Sequence, residues 1–397
     1  MLSKLNLART VNKHLVLATL IFSLIYSLPA LTAESDCPKD VLCASENSVA
    51  SPNLRASIDK TRSAIADKLF GIQLSAFGDI QTLYTNTGQK RVDRGAVELD
   101  IAGDFREDLQ GALALVDSPL GTAMTVGFVD FSTSGERIAP RGRLQVEKDY
   151  HIQAGRFDVP FGNDWQFFAS KDSTSISRPA TTDLIMNGGY NDTGLRLMTN
   201  NGSVNINAYV MNGFNQGHLY GGRLGLTPFS DPFSLNEARQ IKPFEFGFSF
   251  FHDAATTVSP QSDSAWALDA EFTKGNWRGR MEYLERKLEP VLGQSNRLNG
   301  WHVTQEYGLG EMIEQPATLF LRYDVTWITP SEVSIGNGSG DERDGRIATG
   351  FKTQLGSSDV FQWKLEIQHY FQTTPSTRSM PGYGMGTMWY SQLVLIL

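Results

Sequence analysis

Catalysis and metal binding are the first chemistry to look for, and the side-chain spacing offers little of either. The six histidines are His14, His151, His218, His252, His302 and His369. None forms a metal-spacing pair, and no G-x-S-x-G elbow or glycine-rich phosphate loop occurs. Cys37 and Cys43 could close a small disulfide loop around Pro38-Lys39-Asp40 in an oxidising compartment. Without clustered histidines they make no zinc site. His302 shares a face with Thr304 and Glu306, so a hydrolase using His302 or His252 as base is conceivable. A wet wall explains that face more simply. No catalytic residue, cofactor or metal is therefore expected. The chemistry left is that of guanidinium and ammonium groups, which hold anionic oxygens. Arg278 and Arg280 alternate cleanly with Trp277, Met281 and Tyr283, and Arg322 alternates with Leu321 and Tyr323. Arg143, Arg196, Arg223, Arg346, Lys352 and Lys364 fall on the same kind of polar face. So do Asp100, Asp104, Glu147, Asp269, Glu271, Glu282, Glu306, Asp324 and Glu366. Each arginine could therefore meet a solute or only a neighbouring carboxylate such as Glu271 or Glu282.

The elements that must position these groups are strands. From residue 71 onward the apolar period is two: Leu319, Leu321, Tyr323, Val325 and Trp327 alternate with Arg322, Asp324 and Thr326. Phe361, Trp363, Leu365 and Ile367 alternate with Gln362, Lys364, Glu366 and Gln368. Strands whose faces differ this sharply lie between an apolar and a polar medium. Seventeen stretches qualify: 71-84, 93-106, 109-117, 122-132, 142-149, 151-157, 192-199, 203-211, 219-227, 244-252, 264-273, 277-286, 300-308, 317-328, 345-355, 359-371 and 387-397. Single-chain bacterial barrels have even counts, so sixteen strands are expected, with eighteen as the alternative. Asn200-Asn201-Gly202 and Lys274-Gly275-Asn276 supply tight hairpin turns. Longer polar connections, such as 329 to 344, suggest short turns on one side and long loops on the other.

The N-terminus sets the compartment. Lys4, Arg9 and Lys13, an apolar run from Leu15 to Leu28, and Ala30, Thr32 and Ala33 form the three parts of a signal peptide, predicted to be cleaved after residue 33. Cleavage takes three of the 35 basic residues and none of the 43 acidic ones, so the charge falls from −8 to −11. That balance argues against nucleic-acid binding. Residues 34-70 form a polar extension in which Leu54, Ile58, Ile65 and Leu69 mark a short amphipathic helix. No later run is long enough for a membrane helix, so residues 71-397 are soluble or a barrel. Trp277, Tyr283, Trp301, Tyr307, Tyr323 and Trp327 lie on apolar faces, as in an interfacial girdle. The expected class is all-β: a transmembrane antiparallel barrel in contact with outer-membrane lipid of a Gram-negative cell. A soluble sandwich fits less well, because each strand has one apolar face. A receptor with a plug would need more than residues 34-70 to build it.

Short segments resemble the phosphate-selective porin O and P family. They are Gly155-Arg156-Phe157-Asp158-Val159-Pro160-Phe161-Gly162, the hairpin from Trp266 to Leu288, and Leu321-Arg322-Tyr323-Asp324. The resemblance implies a sixteen-stranded barrel, commonly a homotrimer, passing small anions such as phosphate. Where phosphate-specific members carry paired arginines, Arg94-Gly95 stands here. A general pore, or one for organic solutes or sugars, is the alternative. Residues 161 to 191 are the longest connection between the expected strands and are expected to fold inward and narrow the barrel, with a surface loop as the alternative. The expected pore-lining or solute-binding residues are Arg156, Lys171, Arg178, Arg196, Arg223, Arg278, Arg280 and Arg322, with Arg156 foremost. Its alternative partners are Glu147 and Asp158.

Overall fold

The computed structural model describes residues 72–85, 88, 90–119, 121–133, 149–163, 169–186, 189–201, 203–214, 218–227, 244–256, 261–290, 295–310, 316–330, 342–356, 360–372 and 386–396. The signal peptide, the extension over 34–70 and the Cys37–Cys43 pair lie outside the described residues. Sixteen strands alternate up and down. They are β1 Gln73–Thr85, β2 Lys90–Arg106, β3 Leu109–Ser118, β4 Gly121–Ser132, β5 Asp149–Asp158, β6 Asn191–Asn200, β7 Val204–Met211 and β8 Leu219–Leu226. There follow β9 Phe244–Asp253, β10 Gln261–Lys274, β11 Trp277–Pro290, β12 Asn296–Gly308, β13 Ala317–Pro330, β14 Glu342–Gln354, β15 Phe361–Gln372 and β16 Gly386–Ile396. Each pairs antiparallel with its sequence neighbours, and β1 pairs with β16 from Phe77↔Ile396 to Thr85↔Met388. The sheet thus closes without an edge.

The sixteen expected strands other than 142–149 are all present. That candidate lies outside the described residues, except for Asp149, where β5 begins. One expectation needs correction. Short and long connections are not sorted by side. At the end of the barrel where β1 starts lie the tight turns 107–108 and 275–276, and β4 and β8 end there too, at Ser132 and Leu226, well before β5 and β9 begin at Asp149 and Phe244.

The barrel is apolar outside and polar inside, as a lipid surround requires. Leu195, Leu197, Phe246, Phe248, Phe250, Leu319 and Leu321 are exposed, whereas Arg196, Glu245, Arg322, Asp324, Lys364 and Glu366 are buried. The aromatics form cross-strand pairs, with ring centroids 4.6 Å apart for Trp277–Tyr307 and 5.2 Å for Trp301–Tyr323. Such pairs stabilise neighbouring strands.

Candidate functional site: the inner segment and the opening it leaves

The chain between β5 and β6 folds into the lumen and is tied to the far wall. It contains one helical turn, α1, Ala180–Ile185. Gly162 donates its N–H to Ser249 Oγ at 3.0 Å, and Asn163 donates its N–H to Glu282 Oε2 at 2.8 Å. Further on, Glu366 accepts the N–H groups of Ile176 (2.6 Å) and Ser177 (3.0 Å), and the Ser177 hydroxyl as well. Arg322 donates to Ser175 Oγ at 3.0 Å, to the Ser177 carbonyl at 2.9 Å and to Ser177 Oγ at 2.6 Å. Thr181 Oγ1 meets His302 Nδ1 at 2.8 Å, and Arg286 donates to the Ile185 carbonyl at 2.5 Å. Lys352 reaches the Lys171 carbonyl at 2.7 Å, and Lys364 the Ser170 carbonyl. An irregular segment in a barrel needs such partners for its backbone.

An apolar cluster holds the segment's two ends. Phe161 packs edge-on against Phe251 at 5.2 Å, and Tyr190 lies 3.8 Å from Phe214. The Arg286 guanidinium sits 4.6 Å from the Phe214 centroid. Burial, with a hydrogen bond to Asp192, pushes the Tyr190 phenol above its usual range.

Gly162 lies at the entry with φ +67°, and a Cβ there would come 2.2 Å from Glu282 Oε1. Gly162→Ala therefore combines left-handed strain with displacement of the carboxylate that holds Asn163. We expect a loss of about 1–3 kcal/mol, read as a lower urea midpoint for barrel unfolding.

The space left beside the segment is a cavity of about 350 Å³. Its wall side carries Asp79, Glu98, Asp158 and Gln392, and its segment side Ser170, Ser173 and Arg178. Asp79 is buried at a bulge: the register shifts between Gly78 and Ile80, where Asp79 faces Gly95 and Ala96. A Cβ on Gly95 would stand 1.6 Å from Asp79 Oδ1, so the glycine makes room for the carboxylate. Gln81 Nε2 donates to the same oxygen at 3.1 Å.

Of the eight cationic residues expected to line the pore, Arg178 lines this opening. Arg322, besides holding the segment, pairs with Asp324 at 3.2 Å and Glu366 at 3.6 Å. Arg223 is fixed between Glu245 (2.9 Å) and Asp269 (2.6 Å), and Arg280 pairs with Glu306 at 2.6 Å. Arg278 pairs with Glu271 at 2.5 Å. Arg196 donates to Asn207 Oδ1 at 3.1 and 2.7 Å and lies 5.9 Å from the Phe157 centroid. Lys171, on the segment, is held by Asp172 at 2.9 Å. Arg156 donates twice to Asn191 Oδ1, at 2.9 and 2.7 Å, rather than to Asp158, and its other expected partner, Glu147, lies outside the described residues. It shares the strand parity of exposed Ile152, not that of buried His151 and Gln153. The residues that sequence reasoning did not single out are Asp79, Glu98, Gln392 and the latch partners Ser175 and Ser177. Among the described residues no group of His, Cys, Asp or Glu is arranged to hold a metal.

No protein-family model matches the chain, and no curated protein matches it by sequence. The likeness to phosphate-selective porins thus rests on the short segments alone. Solved structures do match in fold. OmpT of Vibrio cholerae, in a trimer form, superposes with a TM-score of 0.56 at 10% identity, covering 82% of this chain and 99% of that one. An anion-selective porin from Comamonas acidovorans gives 0.57 at 14% identity, with 82% and 98% covered. The outer-membrane channel DcaP of Acinetobacter baumannii gives 0.55 at 8%, with 82% and 97% covered. At these identities the likeness is one of fold: the sixteen-stranded barrel of outer-membrane porins.

Proposed function

We propose that the protein is an outer-membrane porin of a Gram-negative cell, a passive diffusion channel for small hydrophilic solutes. The carrying observation is the segment between β5 and β6, held across a polar lumen so that it narrows the barrel and leaves a polar opening on one side. Sixteen-stranded barrels are wide enough for an aqueous channel, and a constriction then sets what passes. The fold shared with OmpT and DcaP supports this reading. OmpT also has a trimer form, which supports a homotrimer here, in contact with lipid around its outer apolar face.

Passage of anions such as phosphate is the finer possibility, favoured by Arg178 at the opening and by the fold shared with an anion-selective porin. Arg196, Arg223, Arg278, Arg280 and Arg322 are engaged with wall or segment groups. The purified protein in a planar bilayer tests the channel reading. Stable, ohmic steps in KCl are expected; insertion without current would contradict it.

A further inference from the structure

We infer that Lys352 and Lys364, which stand behind the lining of the opening, set its charge selectivity by offsetting Asp79; this rests on the channel reading. The two lysines face each other directly across β14 and β15. Their ammonium groups donate to the carbonyls of Lys171 and Ser170, in the turn whose Ala169, Ser170 and Ser173 line the opening. Neither lysine is itself part of the lining, and Lys364 is wholly buried.

The pair differs from the other inner cations in lacking a close counter-ion. Arg223, Arg280, Arg322 and Arg346 each form an ion pair with a wall carboxylate. Among the described residues, neither Lys352 nor Lys364 has a carboxylate within ion-pair distance. Like charges directly opposite each other destabilise neighbouring strands, so charge further off must compensate them. Besides the lysines themselves, Asp172, Glu306 and Lys171 act on Lys352, and Asp79, Glu366 and Asp172 act on Lys364. Three of these acids have nearer cations. Asp172 has Lys171 at 2.9 Å, Glu306 has Arg280 at 2.6 Å and Glu366 has Arg322 at 3.6 Å. Asp79 has none within ion-pair distance among the described residues. The pair and Asp79 are thus each other's remaining counter-charges. One row of side chains joins them: Lys352, Lys364, Gln392 and Gln81 stand opposite one another across β14, β15, β16 and β1. Gln81 then donates to Asp79 at 3.1 Å.

Asp79 lines the opening, so its charge, left without an offset, would draw cations there. Buried ammonium groups are screened little by salt, and a narrow opening between low-dielectric walls focuses their field. Asp158, another carboxylate of the lining, has a buried cation acting on it from β6, Arg196. Selectivity at Asp79 therefore depends on two residues that a passing solute does not touch.

The test is the reversal potential in a planar bilayer under a KCl gradient. Lys352→Gln combined with Lys364→Gln keeps an N–H donor for each segment carbonyl and removes both charges. It should shift the potential toward cation preference, changing the potassium-to-chloride permeability ratio roughly threefold. Lys352→Gln alone, which leaves the buried Lys364 in place, should give part of that shift. Adding Asp79→Asn to the double variant should reverse most of it. Lys287→Gln, on the outer face with exposed Met281, should keep the wild-type potential. A double variant whose potential is unshifted, moves toward anions, or fails to return with Asp79→Asn would overturn the inference while leaving a channel. An equal shift from Lys287→Gln would overturn it too. A barrel that inserts and carries no current would overturn the channel reading and this inference with it.

Discussion

Deleting residues 165–186 is expected to raise single-channel conductance roughly two- to fourfold, because the constriction, not the barrel wall, sets the narrowest section. The segment crosses the lumen and meets Glu282, His302, Arg322, Arg346, Lys352, Lys364 and Glu366 on the opposite side. Its removal rewets those wall charges instead of leaving them dry and unpaired, so the desolvation penalty of a broken buried pair does not arise. The strand ladders close through β16 and β1 without help from the segment. The variant should therefore retain its β-sheet circular dichroism while conducting more. Unchanged conductance with an intact barrel would mean that the segment does not limit the path.

The second large effect is expected at Arg322. Its guanidinium joins Ser175 and Ser177 of the segment to Asp324 and Glu366 of the wall, and it is 1% exposed. Arg322→Met removes three hydrogen bonds to the segment and leaves Glu366 buried with less positive charge beside it. Breaking a buried ion pair from one side costs about 3–5 kcal/mol. Asp324 keeps Arg346 at 2.7 Å, which places the loss at the latch rather than in the wall. The segment should detach around residues 175–177, giving noisy, larger current steps and new protease cleavage within 169–186. Arg322→Lys should restore little, since a point ammonium cannot reproduce the fan of donors. Quiet, wild-type currents from Arg322→Met would show that Arg322 is no latch.

The barrel was legible in the sequence because one period carries it: a two-residue alternation between lipid and water survives any tertiary detail. Strand ends were less legible. β10 starts at Gln261 and β12 at Asn296, each ahead of its expected start, because those extensions pair polar residues such as Arg297 and Lys287 beyond the apolar stretch. Alternation also placed Arg223, Arg280 and Arg322 inside. It could not say what they would meet there. Which carboxylate faces Arg223 is a matter of neighbouring register, while Arg322 meets Ser177 only because the barrel closes and the segment crosses it. Asp79 is a different case. Its place in the opening depends on a bulge opposite Gly95, a local irregularity that leaves only a glycine as its trace. Arg156 had the most family-like surroundings, yet its strand parity already set it with Ile152 and Ala154.

The central claim is that solutes pass between the inner segment and the wall formed by β16 and the strands from β1 to β5. Thiol modification tests it most directly. In a background of Cys37→Ser and Cys43→Ser, Ser173→Cys would be placed in the opening and Leu197→Cys on the outer apolar face. A charged methanethiosulfonate reagent added during bilayer recording should cut the current through the Ser173→Cys protein and leave that through Leu197→Cys unchanged. A Ser173→Cys channel that reacts with the reagent and conducts as before would contradict the account.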